Sequence, residues 1–153
     1  MTGWVTKKLA SWAVNLRPEA LPDEVLAKAE DCIIDAIACA VPGSRADGAR
    51  RVHSVATSTF GKGDAVVWFG TERLHPTGAA FANAASASIL DIDDGHRRAL
   101  GHPGAAVVPT ALAAASRSEL RGIDVLANVV AGYEACIRIG MSENRKAYHT
   151  GNW

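Results

Sequence analysis

Apolar residues recur at helical spacing along most of the chain, and prolines and glycines punctuate the pattern. Trp4, Val5, Leu9, Trp12, Ala13 and Leu16 form a first apolar stripe, which Pro18 stops. Pro22-Asp23-Glu24 opens a second helix, with a proline and acids suited to a first turn. Its stripe runs through Val25, Leu26, Ala29, Cys32, Ile33, Ala36, Ile37 and Ala40. From Ile33 to Val41 nearly every side chain is apolar, which predicts burial on all sides of that stretch. Pro42-Gly43-Ser44 ends it, and a third helix is predicted from Ala46 to Phe60.

Gly61-Lys62-Gly63-Asp64 then reads as a turn. Val66 to Phe69 reads as a short strand, folded back through Gly70-Thr71-Glu72 onto Arg73 and Leu74. Pro76 to Leu90 is rich in alanine and serine, so this predicted helix suits a crossing where backbones approach closely. Gly104 onward is able to start a helix, and Pro109 to Ser118 is read as alanine-rich helix. A last helix is predicted from Gly122 to about Met141, followed by a polar, irregular tail. No repeat and no linker divides the chain. The expected fold is all-α, one helical domain over residues 1–153, with one short β-hairpin near residues 65–74.

Composition narrows the function classes. With 16 basic and 16 acidic residues and no basic tract, nothing suggests nucleic acid as a partner. The first helix carries Lys7 and Lys8 among its apolar residues, unlike a signal peptide, and no apolar run reaches a membrane-spanning length. A cytoplasmic protein with no membrane partner is expected. Cys32, Cys39 and Cys136 are odd in number and lack a Cys-x-x-Cys spacing, which argues against disulfides and zinc ribbons; Cys32 and Cys39, seven apart on one apolar helix face, read as small core thiols.

The candidate chemistry lies in Leu90-Asp91-Ile92-Asp93-Asp94-Gly95-His96, followed by Gly101-His102-Pro103-Gly104. Three carboxylates and two imidazoles fall within twelve positions at the exit of an apolar helix, a density that packing does not require. The acids suit a solvated capping loop, a metal site or proton chemistry. A calcium loop fails on spacing, because glycine comes one place early at Gly95 and His102 stands where the bidentate glutamate belongs. An Asp and His transition-metal site stays open on the residues alone. His102, between glycines, is placed to exchange a proton near a ligand, and amides from Gly104 onward would favour an anion. His96 sits beside Arg97 and Arg98 in a stretch that reads as exposed, and His53 reads as a helix-surface residue.

These residues resemble the MmgE/PrpD family. Leu90-Asp91-Ile92-Asp93-Asp94 with His96, His102-Pro103-Gly104 and Val108-Pro109 carry the resemblance. Asp31-Cys32-Ile33-Ile34-Asp35, Ala80-Phe81-Ala82-Asn83, Gly132-Tyr133-Glu134 with Arg138, and His149-Thr150-Gly151 fit it in the same order. The resemblance implies a lyase or isomerase for a small di- or tricarboxylate, working by dehydration, as in a 2-methylcitrate dehydratase, by decarboxylation or by epimerisation. It implies no metal and no organic cofactor. Carried over, Asp91, His102 and His149 match active-site positions, and Asp94, His96 and Gly104 are expected around the substrate. Gly95 stands where the family often has threonine, so no hydroxyl is contributed there. The family fold pairs a large helical domain with a smaller α/β lid. By that measure the chain is expected to be a truncated N-terminal portion of the helical domain, with the lid absent. It would then form a homodimer or join a second chain that supplies the remainder. The alternative is a non-catalytic helical module whose role is that association.

Overall fold

The computed structural model describes residues 4–117 and 120–142. Six α-helices and one two-stranded hairpin are found among the described residues: α1 (Val5–Asn15), α2 (Asp23–Gly43), α3 (Asp47–Phe60), β1 (Lys62–Val66), β2 (Arg73–Leu74), α4 (Pro76–Ser88), α5 (Pro103–Ala115) and α6 (Gly122–Ser142), with a 3₁₀ turn at Pro18–Ala20. The all-α expectation with one small hairpin holds.

Helix α4 is the hub. It packs against α2, α3, α5 and both strands, while α5 also lies on α2 and α6. Its small residues make this possible: Gly78, Ala79, Ala82, Ser86 and Ala87 are all buried. The α2 crossing is closest at Gly43, where an added Cβ would stand 1.9 Å from the Ser86 carbonyl oxygen. Two buried polar side chains on α4 tie the layers together. The Asn83 amide donates to the Val66 carbonyl at 3.0 Å, and its oxygen accepts from the Trp68 amide at 2.8 Å, pinning the hairpin to the helix. Ser86 lies 2.9 Å from His53 Nε2, so His53 faces α4 rather than solvent. The surface reading of His53 is therefore corrected: it bonds across the α3–α4 contact.

Three other expectations change. The strand runs from Lys62 to Val66, ahead of the predicted Val66–Phe69, and pairs antiparallel with Arg73 and Leu74. Val67 still frames the turn, its amide donating to the Glu72 carbonyl and its carbonyl accepting from the Gly70 amide, while Phe69 reverses the chain at φ 61°. Gly63 belongs to the strand because its missing side chain admits the Leu74–His75 backbone, which a Cβ would meet at 2.6 Å. Helix α5 starts at Pro103, six residues before Pro109, which sits inside it. Both prolines read as helix openers, and Pro109 forfeits only one backbone bond, to Ala105. Finally, the Ile33–Val41 stretch is not covered on all sides. Ile34 is 66% exposed, and Ile37 and Val41, on the same face, are also open. Apolar character predicts that a face is covered, not that the described part of the chain covers it. No described helix is long and apolar enough to cross a membrane.

Replacing Gly43 by alanine should lower the stability of the chain by ~3 kcal/mol, the upper end of core overpacking. A urea melt checks it, and an unchanged midpoint would show that the α2–α4 crossing yields freely.

Candidate active site

The acidic loop leaves α4 at its C-terminal end and returns to start α5. Asp91 makes the first bend in the left-handed region, at φ 55°, with its amide on the Ser88 carbonyl at 2.9 Å. Aspartate tolerates this conformation better than most side chains, and such outliers gather at functional sites. The bend turns the Asp91 carboxylate outward, 88% exposed, and drops Asp93 inward, 1% exposed.

Asp94 fastens the loop. Its Oδ1 accepts the Gly104 amide at 2.9 Å, in the first turn of α5, and its Oδ2 accepts the Tyr133 hydroxyl of α6 at 2.8 Å. Its own amide donates to Asp35 Oδ2 of α2 at 3.1 Å. The anion that suits the N-terminus of α5 is thus an internal one. Gly104 is required here, since a Cβ would lie 2.5 Å from Asp94 Oδ1. Asp94 and Gly104, expected around a substrate, are engaged with each other. His96 is also engaged locally: its Nδ1 accepts from the Ala99 amide at 3.1 Å, and its backbone pairs with Gly101.

His102 stands at the N-cap of α5 between two carboxylates. Nε2 is 3.6 Å from Asp91 Oδ1, and Nδ1 is 3.5 Å from Asp93 Oδ2. Asp91 and His102 therefore share one place in the fold. That place borders two depressions of about 300 Å³ each. One is lined by Ala84, Ser88, Asp91, Asp93, His102 and Ala105. The other is mostly apolar, with Pro103, Ala106, Cys136 and Ile137. His149 lies outside the described residues.

Electrostatics separates the acids. Burial pushes the Asp93 carboxyl above its usual range, and its own backbone amide and then the nearby His102 imidazole only partly oppose this. Neither Asp93 oxygen has a hydrogen-bond partner among the described residues. Burial also raises the Tyr133 phenol, with Cys32 and Asp94 adding to it, so this hydroxyl remains a donor. Asp91, Asp93 and His102 offer donor atoms within 4.8 Å of one another, the one such grouping among the described residues. Sequence reasoning missed Asp35 and Tyr133 as supports of the site. The signal for Asp35 was a lone acid within an otherwise apolar run; for Tyr133 there was none beyond the family resemblance.

Tyr133→Phe should cost about 1.5–3 kcal/mol, the worth of a hydrogen bond to a charged group. Thermal unfolding followed by circular dichroism reads it, and a loss under about 0.5 kcal/mol would show that Asp94 does not need the phenol.

Comparison with known proteins covers nearly the same span. Residues 7–153 match the MmgE/PrpD N-terminal domain. A protein named cis-aconitate decarboxylase, from Aspergillus terreus, is 34% identical over 143 residues, covering 89% of this chain and 29% of the relative. A cis-aconitate decarboxylase-like protein, oryM, from Aspergillus oryzae is 29% identical over 145 residues, covering 90% of this chain and 30% of the relative. The chain spans about three-tenths of the length of these relatives. The match takes in the acidic loop, the His-Pro-Gly start of α5 and the Tyr133 support alike, and on that footing the chain belongs to the MmgE/PrpD family.

Proposed function

We propose that this chain contributes part of the active site of a lyase acting on a small di- or tricarboxylate, with decarboxylation of an unsaturated tricarboxylate as its first candidate reaction. The observation that carries this reading is the imidazole of His102 set between Asp91 and a buried Asp93 at the edge of a depression. The names of the relatives favour decarboxylation over the dehydration that the acidic motif alone also suits.

The reactions of this class share one demand. Either a proton leaves carbon beside a carboxylate, or carbon dioxide departs and a proton takes its place on a carbon of the remaining framework. Each needs an acid or base with a pKa near the working pH, plus positive or hydrogen-bonding groups for the charge that develops. His102 is the group for the proton. Asp91, exposed beside Nε2, holds a substrate hydroxyl or the imidazolium that forms. A polyanion next to two aspartates needs cations, and Arg97 and Arg98 are exposed on the same loop. His149 remains a candidate second proton-transfer group. On this reading the substrate is a small polycarboxylate, with no metal or organic cofactor taking part.

The test is turnover of cis-aconitate, followed by release of carbon dioxide. His102→Ala should lower kcat by about 10²–10⁴-fold. A loss under about tenfold would remove His102 from the chemistry. Should the chain show no turnover, ring signals of His102 still have to shift on adding cis-aconitate. Silence in both measurements overturns the proposal.

A further inference from the structure

The two carboxylates beside His102 are not equivalent, and the difference assigns the proton of the ring. A neutral imidazole carries one N–H, on either nitrogen, and the other nitrogen keeps a lone pair. Each nitrogen here faces its own carboxylate at nearly the same distance, 3.5 Å for Nδ1 and 3.6 Å for Nε2. Distance alone does not choose between them, but solvation does. Asp91 is 88% exposed, so water satisfies its oxygens whether or not the ring donates to it. Asp93 is closed off from water, and among the described residues both of its oxygens lack a hydrogen-bond partner. A buried polar group without a partner loses its full solvation, more so when charged. The N–H is therefore worth far more on the Asp93 side. A closure of about half an ångström brings Nδ1 into ordinary hydrogen-bond range of Oδ2, the kind of tightening that catalytic contacts undergo on binding.

We propose that Asp93 is the positioning residue for His102: it fixes the Nδ1–H tautomer and leaves the Nε2 lone pair facing Asp91 and the depression. The buried acid orients, and the exposed one stands where substrate arrives. Its part in turnover rests on the lyase reading above; the tautomer does not.

A cation is the competing partner for the same three side chains. Zinc–ligand distances of about 2.0–2.2 Å require every donor to converge on one point. Here the ring stands between the acids, one carboxylate to each nitrogen, and a single ion is able to take only one nitrogen. One donor atom from each of the three side chains lies within 4.8 Å of the others, so zinc is an outcome of the test below.

Nitrogen-15 spectra of the full chain, labelled at histidine, read the tautomer directly. At a pH where His102 is neutral, the wild type should show a protonated Nδ1 and a bare Nε2. Asp93→Ala should move the ring toward the Nε2–H form, while Asp91→Ala should leave Nδ1–H in place. In a preparation that turns over, Asp93→Ala should lower kcat by about 10²-fold or more while KM moves less than about threefold. If Asp93→Ala fails to fold, the wild-type spectrum decides by itself: a protonated Nε2 overturns the proposal. So does an unchanged tautomer in a folded Asp93→Ala chain. So does one equivalent of zinc that stays with the purified wild type through dialysis and is lost from Asp93→Ala. A wild type with the Nδ1–H tautomer but no response to cis-aconitate would instead count against the lyase reading and leave this one standing.

Discussion

The Asp94 carboxylate is the constraint from which the rest of the site takes its shape. One oxygen holds the first turn of α5, the other holds α6 through Tyr133, and the adjoining amide reaches α2 through Asp35. Three helices thus meet on one residue of the loop. With Asp94 fixed, its neighbours have little choice. Asp93 is carried beneath the surface, Asp91 is left outside on a left-handed bend, and His102 enters α5 between them.

Close helix contacts supply the rigid frame on which this depends. Alanine, serine and glycine on α4 bring α2, α3 and α5 near enough that the loop leaving α4 and the helix that follows share a fixed base. Against that frame, Asp93 is a local liability. A carboxylate whose affinity for protons is raised by burial opposes folding as pH climbs past the unfolded-state value and through the raised one, because the native state then gives up its proton less readily than the unfolded chain. On the proposed reading, the orientation of His102 is what such a group supplies in return: sites often hold polar groups that packing alone would replace with apolar ones.

Much of the fold was legible because periodicity and punctuation act locally. The stripe after Pro22, the small-residue face of α4 and the glycines around the hairpin each reflect a short-range rule, and each element was found within a few residues of its expected place. The errors arose where two local rules competed or where the answer was not local. Pro103 and Pro109 both satisfy the first-turn preference, and only the fold shows that the helix takes the earlier one. The Ile33–Val41 run announced an apolar face, but whether something covers it is a property of neighbours. The site was legible as a cluster and not as a set of roles. Asp91, Asp93 and Asp94 are chemically identical in sequence; exposure, burial and bracing distinguish them only after the chain turns at Asp91. The motif also could not show that Gly104 gives its amide to Asp94, since that bond spans ten residues of irregular loop.

The Tyr133 anchor links helix α6 to the turn that carries the imidazole. The phenol is part of a long helix, and the carboxylate it grips also secures the turn that carries the imidazole. A small axial slide of α6 would therefore arrive at His102 as a change in how far the ring leans from one aspartate toward the other. On the proposed reading, whatever comes to rest on the outer side of α6 would gain a lever on the His102 proton from a distance.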